Sequence, residues 1–249
     1  MLILVNNSLL FLQKLIFLSL KKHIPNFITL LNLFCGSVAV IFAVNGNMRL
    51  TALFAFLGIF FDFFDGLLAR KLKVDGELGL QLDSLADIVT SGLVPGLVMF
   101  YLFDLGNPNS YYFYDLLPYV GLLITIASAY RLAKFNIANN QSDSFMGLPT
   151  PANALLILSL PLILEFQNND MMNAIILNKW FLIAVTLLSC YLLNAKIKLI
   201  ALKFITWNFR DNAARYMLTL LSIIFLIIFQ FAAIPLIILC YIIISLLNK

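Results

Sequence analysis

Apolar residues run along this chain in blocks of about twenty, broken by short polar or basic stretches, with no strict apolar–polar alternation inside the blocks. Blocks of that length match the roughly 20 helical residues that cross a bilayer. A membrane barrel would need two-residue alternation, so the spans are predicted to be helices. The pattern places eight of them, at about 27–45, 50–70, 79–103, 115–137, 149–165, 177–194, 215–232 and 233–248, the last two divided only by a turn around Ala233 to Pro235. The stretch from Leu2 to Leu20 is also apolar, but Asn6, Asn7, Gln13 and Lys14 interrupt it. It reads as an interfacial helix lying along the membrane. A signal peptide is the alternative, without a small-residue cleavage pattern before Lys21. The predicted fold is an all-α integral membrane protein of about eight transmembrane helices. Residues 1–24 form an N-terminal interfacial or juxtamembrane segment, and 25–249 a single membrane domain.

Composition agrees. Of 249 residues, 62% are hydrophobic and only 11% charged, and the mean hydropathy is +0.99, which excludes an ordinary soluble domain. Charge sets the orientation. With the N-terminus in the cytoplasm, the cytoplasmic segments hold all of the 16 lysines and arginines except Arg49 and Lys179, as the positive-inside rule requires. Both termini are then cytoplasmic. A net charge of +4 fits basic cytoplasmic loops and no nucleic-acid partner. Cys35, Cys190 and Cys240 are isolated in apolar segments, and the single histidine, His23, follows Lys21 and Lys22 at an interface position. Neither a zinc site nor a disulfide framework is indicated.

Against this background, the stretch FDFFDGLLARKLKVDGELGLQLDSLADIV (61–89) stands out. Ionisable residues in membrane helices are costly and read as functional. Asp62, Asp65, Gly66, Ala69 and Arg70 follow helical spacing along one face, as do Gly79, Asp83 and Asp87 after a polar turn marked by Asp75-Gly76. Consecutive helices with a short link are expected to be antiparallel neighbours, so four carboxylates converge near the cytoplasmic side. Such a cluster requires protons or cations. Carboxylate oxygens suit magnesium or manganese, and a pair of divalent cations is a recurrent device for displacement at phosphorus. The small residues leave room for a bulky ligand or for close helix contact, and Arg70 can hold a phosphate. Interhelical hydrogen bonds or a proton relay would be the structural alternative.

These residues spell D-x2-D-G-x2-A-R-x8-G-x3-D-x3-D without a gap, which resembles the signature of the CDP-alcohol phosphatidyltransferases. The resemblance implies integral membrane enzymes that move a phosphatidyl or phosphoalcohol group from a CDP-linked donor to an alcohol, releasing CMP. It implies that Asp62, Asp65 and Asp83 ligate two divalent cations, magnesium or manganese, and that Asp87 also lies at the metal site and is the general base. It gives Gly66, Ala69, Arg70 and Gly79 to the nucleotide and its diphosphate. IPNFITLLNLFCG (24–36), ASAYRLAKFNI (127–137), FMGLPTPANA (145–154) and NAKIKLIALKF (194–204) resemble the membrane phosphatidylserine synthases of this family. That implies CDP-diacylglycerol and L-serine as substrates, a homodimer, and a multi-pass position in the cell membrane, the inner membrane of a bacterium. The resemblance covers roughly residues 20–210.

Other polar positions keep two readings. Asn26 and Thr29 could contact nucleotide, and Arg131 and Asn136 the acceptor. Asn26, Thr29 and Asn136 could equally cap or bond across helices, and Arg131 could be a positive-inside anchor. Pro149 and Pro151 start a span or shape the pocket. Gly92 and Gly96 favour tight helix packing, and Trp180 and Trp207 fit interface belts. Glycerol-3-phosphate or inositol phosphate is the alternative acceptor. An ion-coupled transporter is the alternative outside enzymes, but its acids belong near the midplane, whereas Arg70 and the turn at 71–78 put these near one face.

Overall fold

The computed structural model describes residues 2–74, 76–106, 116–137, 145–167, 169–200 and 209–247. Asp75, expected in a turn, Trp207, expected at an interface, and Lys203 and Lys249, expected on the cytoplasmic side, lie outside them. The described residues are almost entirely helical: α1 (Leu2–Val44), α2 (Met48–Leu72), α3 (Glu77–Asp87), α4 (Val94–Leu105), α5 (Leu123–Ile137), α6 (Thr150–Phe166), α7 (Asp170–Ile176), α8 (Lys179–Asn194), α9 (Phe209–Phe229) and α10 (Ala233–Leu247). A π-helical turn, Ile88–Leu93, joins α3 to α4, and 3₁₀ turns lead into α5 and separate α9 from α10.

Five stretches are long and apolar enough to cross a membrane: His23–Val44, Met48–Leu72, Glu77–Leu105, Leu117–Ile137 and Arg215–Leu247. The pair α7–α8, bent by 59°, makes a sixth if it is one span. The differences from the eight expected lie mostly in the second half. The expected span at 149–165 is α6, with 17 residues, short of the roughly 20 a bilayer requires. Asn178 caps α8 and so breaks the run before it. The two final spans belong to one apolar stretch that turns at Gln230, whose φ of 48° is left-handed; α9 and α10 pack on each other beyond it. At the other end, the interfacial helix expected over Leu2 to Leu20 is not separate from the first span: α1 runs unbroken from Leu2 to Val44, with Pro25 inside it.

The helices that position the site pack closely. Thr29, Asn32, Gly36, Ala39 and Ala43 form a buried stripe on α1, meeting Thr51, Ala52, Ala55 and Gly58 on α2. Small residues let two membrane helices approach where the hydrophobic effect offers no pairwise drive. The link between them turns at Gly46 (φ 72°), and the Asn47 side chain accepts from Leu50 N at 3.1 Å, capping α2. α4 runs through the centre, burying Val94, Val98, Met99, Leu102 and Phe103. Gly92 and Gly96 are packing glycines as expected: a Cβ on Gly92 would stand 2.8 Å from Ile88 Cδ1, and one on Gly96 2.3 Å from Thr125 Oγ1.

An antiparallel two-residue ribbon, β1 (Phe145–Met146) with β2 (Lys198–Leu199), was not anticipated. It ties together two of the segments singled out in the sequence. Gly147 (φ 72°) follows it and donates to Ile197 O at 2.9 Å. Pro149 then caps α6 and Pro151 lies in its first turn, where a missing N–H costs nothing.

Candidate active site

α2 and α3 do not zip together as neighbours. α1 packs against both, while they make little contact with each other. A cavity of about 490 Å³ opens between the three helices. From α1 it is lined by Pro25, Asn26 and Thr29; from α2 by Asp65, Gly66 and Ala69; from the α2–α3 link and α3 by Val74, Gly76, Glu77, Gly79, Leu80 and Asp83.

Its glycines are there for space. Among the described residues, a Cβ on Gly66 would find nothing nearer than Arg70 Nη2 at 4.0 Å, and one on Gly79 would meet only Asn26 Oδ1 at 3.4 Å. Neither is forced by packing, in contrast to Gly36, whose Cβ would stand 2.2 Å from Thr90 Oγ1. Of the two roles open to these small residues, room for a ligand fits Gly66 and Gly79. Arg70, exposed one turn on, reaches back toward Gly66 at the rim.

Asp62, Asp83 and Asp87 each bring a carboxylate oxygen within 4.8 Å of the other two. Helical spacing of four residues puts Asp83 and Asp87 on one face of α3, and α2 supplies Asp62 opposite. Asp65 is buried but stands outside this trio. Its Oδ2 lies 2.5 Å from the Thr29 hydroxyl, which also lies 3.1 Å from Pro25 O. One hydroxyl has one proton, and the shorter contact to the charged acceptor takes it. The donor set fits a hard divalent cation: three converging carboxylates, a fourth beside them, and no sulfur or imidazole within the group. Unpaired, three carboxylates in a membrane interior would carry a heavy desolvation cost.

Arg131 stands within electrostatic reach of Asp87 and Tyr241, and its Nε is buried with no hydrogen-bond partner among the described residues. Asn136 is held by α3 instead of facing the cavity: its Oδ1 accepts from Ser84 Oγ at 3.1 Å, and its Nδ2 donates to Gln81 Oε1 at 3.4 Å. Asn26 lines the cavity, with its Oδ1 toward Gly79 of α3.

Two site residues escaped the sequence reading. Asn32 Nδ2 donates to Asp87 Oδ1 at 3.3 Å, and Thr90 Oγ1 donates to Asn32 Oδ1 at 2.8 Å. Asn32 continues the three-residue spacing of Asn26 and Thr29 in an otherwise apolar helix, and a buried amide in a span needs partners. That spacing was the available signal.

Comparison with known proteins places this geometry. The family model for CDP-alcohol phosphatidyltransferase matches residues 22–191. The chain is similar to the CDP-diacylglycerol–serine O-phosphatidyltransferase of Bacillus subtilis (strain 168), 36% identical over 158 residues, covering 62% of this chain and 81% of that protein. It is 33% identical over 135 residues to the protein of the same name from Helicobacter pylori (strain J99), covering 53% of this chain and 54% of that one. To the archaetidylserine synthase of Methanothermobacter thermautotrophicus it is 28% identical over 139 residues, covering 55% and 56%. With the latter two, the match spans only about half of each relative's length. The matched region contains the cavity and every aspartate described above, and the chain belongs to the CDP-alcohol phosphatidyltransferase family.

Proposed function

We propose that this protein transfers a phosphatidyl group from CDP-diacylglycerol to the hydroxyl of L-serine, giving phosphatidylserine and CMP, at the cytoplasmic face of a cell membrane. The observation that carries the reaction is the trio Asp62, Asp83 and Asp87 beside a cavity whose glycines meet no packing demand. The serine assignment draws on the similarity to the serine O-phosphatidyltransferases of Bacillus and Helicobacter. The same resemblance carries the expectation of a homodimer.

Asp62, Asp65, Asp83 and Asp87 are the groups that would hold divalent cations, two by the family resemblance. Such cations supply charge neutralisation at the donor's diphosphate and at the departing phosphate. Gly66, Ala69 and Gly79 admit the nucleotide and diphosphate, Asn26 and Thr29 face them from α1, and Arg70 holds a phosphate from the rim. The acyl chains stay in lipid, because the cavity opens beside helices whose outer faces carry Phe63, Leu67 and Leu78, all exposed. Asp87 removes the proton of the serine hydroxyl. The freed oxygen attacks the β-phosphorus, the bond from that phosphorus to the bridging oxygen breaks, and CMP leaves with that oxygen. Arg131 meets the serine carboxylate. Its buried Nε, without a partner among the described residues, and its nearness to Asp87 support that role, and a planar guanidinium binds a carboxylate bidentately.

Arg70, Lys71 and Lys73 end α2 next to the cavity, which supports the cytoplasmic assignment of that face and of both termini. The test is CMP release by the purified protein from CDP-diacylglycerol with magnesium or manganese, with serine and with glycerol-3-phosphate in parallel. Release with serine alone is the expected result. Release with glycerol-3-phosphate alone would keep the chemistry and replace the acceptor.

A further inference from the structure

Asp87 is 7% exposed, and Asn32 and Thr90 are fully buried. Three residues after Asp87, Thr90 lies inside the π-helical turn Ile88–Leu93, a widened turn that re-aims the side chains around it. There the Thr90 side chain enters a slot between α1 and α2. A Cβ on Gly36 would stand 2.2 Å from Thr90 Oγ1, and one on Gly58 2.7 Å from Thr90 Cγ2 and 3.0 Å from Asn32 Oδ1. Two glycines on two helices thus make room for one threonine and the amide it touches. The hydroxyl lies 2.8 Å from Asn32 Oδ1 and 3.2 Å from Asn32 O. By donating to Oδ1 it fixes which end of the amide is oxygen. The NH₂ end then faces Asp87 Oδ1.

We infer that Asn32 and Thr90 are a positioning pair for Asp87: Thr90 sets the Asn32 amide, and Asn32 holds Asp87 Oδ1 so that Oδ2 is left for cation and acceptor. This rests on the reading of Asp87 as a site carboxylate. An unheld carboxylate in a dry interior would turn about its last torsion, and outer-shell partners of metal-binding carboxylates fix that orientation. The pair also explains why α1, which carries no acid of the signature, packs against both acid-bearing helices.

The test compares wild type, Thr90→Val, Thr90→Ser, Asn32→Leu and the double variant Thr90→Val/Asn32→Leu. Four quantities are read in detergent: Mn²⁺ affinity of the purified protein by electron paramagnetic resonance, kcat and KM for CMP release, and thermal unfolding. Thr90→Val keeps shape and loses the donor, so Mn²⁺ affinity or kcat is expected to fall by about 10- to 100-fold with KM for CDP-diacylglycerol unchanged. Thr90→Ser restores it. On the Asn32→Leu background, Thr90→Val costs nothing further, the signature of two residues acting through one contact. Equal loss from Thr90→Val with and without Asn32 would overturn the inference, as would wild-type Mn²⁺ affinity and kcat in Thr90→Val, or equal loss in Thr90→Val and Thr90→Ser. Should Asn32→Leu not fold, the contrast of valine with serine at position 90 decides alone. If wild type releases no CMP with any acceptor, the proposed reaction fails, and the Mn²⁺ series still decides the positioning pair.

Discussion

The Thr29 hydroxyl of α1 lies 2.5 Å from Asp65 Oδ2 of α2, and this contact sets Asp65 apart from the three other aspartates. It pins the one signature acid that stands outside the trio against the cavity wall. Thr29→Val keeps the volume and strips the donor from a buried carboxylate. Leaving a buried charged acceptor unpaired costs about 1–3 kcal/mol or more. Cation affinity or turnover is expected to fall by about 10-fold or more, with Thr29→Ser near wild type. Mn²⁺ titration of the two variants checks it; equal affinity in wild type and Thr29→Val would mean that Asp65 needs no partner.

The glycines divide into two kinds that substitution should separate. Gly66→Ala adds a methyl into open cavity, and alanine is favoured over glycine within a helix by up to about 1 kcal/mol. Thermal unfolding is expected to stay level or rise while KM for CDP-diacylglycerol increases. Gly36→Ala forces a contact at 2.2 Å with Thr90 Oγ1, an overpacking change of about 1–3 kcal/mol, and should lower the unfolding temperature. A Gly66→Ala protein with unaltered KM would remove that residue from the donor site.

Chelation and single-acid replacement should agree. EDTA is expected to stop CMP release, and magnesium or manganese to restore it. Asp62→Asn, Asp83→Asn and Asp87→Asn each remove one charge from a trio whose oxygens lie within 4.8 Å, and each should weaken Mn²⁺ binding. Asp87→Asn additionally removes the proposed proton acceptor, so saturating Mn²⁺ should not rescue its kcat. Recovery of near wild-type turnover by that variant would move the base elsewhere.

The role proposed for Arg131 predicts a split between the two substrates. Arg131→Lys keeps a charge but loses the planar fork. A hydrogen bond to a charged group is worth about 1.5–3 kcal/mol, and each 1.4 kcal/mol is about tenfold in affinity. KM for serine is expected to rise by about 10-fold or more, with KM for CDP-diacylglycerol unchanged. A rise in the donor's KM alone would instead make Arg131 a lipid-phosphate residue.

Arg49 and Glu165 form an ion pair at the opposite end of α2 from the signature acids, with the Arg49 side chain 61% exposed. Exposed pairs contribute about 0–1 kcal/mol. Arg49→Gln is expected to leave kcat, KM and Mn²⁺ affinity as they are; a loss of turnover would mean that this end of the bundle communicates with the aspartates.

Much of the site was legible because its requirements are local. Four-residue spacing puts Asp83 and Asp87 on one helical face whatever surrounds the helix, and carboxylates in an apolar run announce themselves by their cost. The first four spans follow the same logic, since long apolar helices need no partner to satisfy their backbone. The later helices were harder: α6 is short, a cap at Asn178 divides α7 from α8, and the reversal at Gln230 has only a weak local mark. The ribbon of Phe145–Met146 with Lys198–Leu199 pairs residues more than fifty positions apart, which no local pattern encodes.

The membrane-helical class, the cationic bias, the eight signature residues and the face each occupies on its own helix all follow from the order of the residues alone. Periodicity, hydropathy and charge are properties of neighbouring residues. Helix packing places α1 between the two acid-bearing helices, leaves Gly66 and Gly79 beside open space while Thr90 fills the space at Gly36, and brings Thr29 to Asp65 and Asn32 to Asp87. Those are contacts between residues 36 and 55 positions apart, set by how helices pack, and packing is a property of the whole bundle.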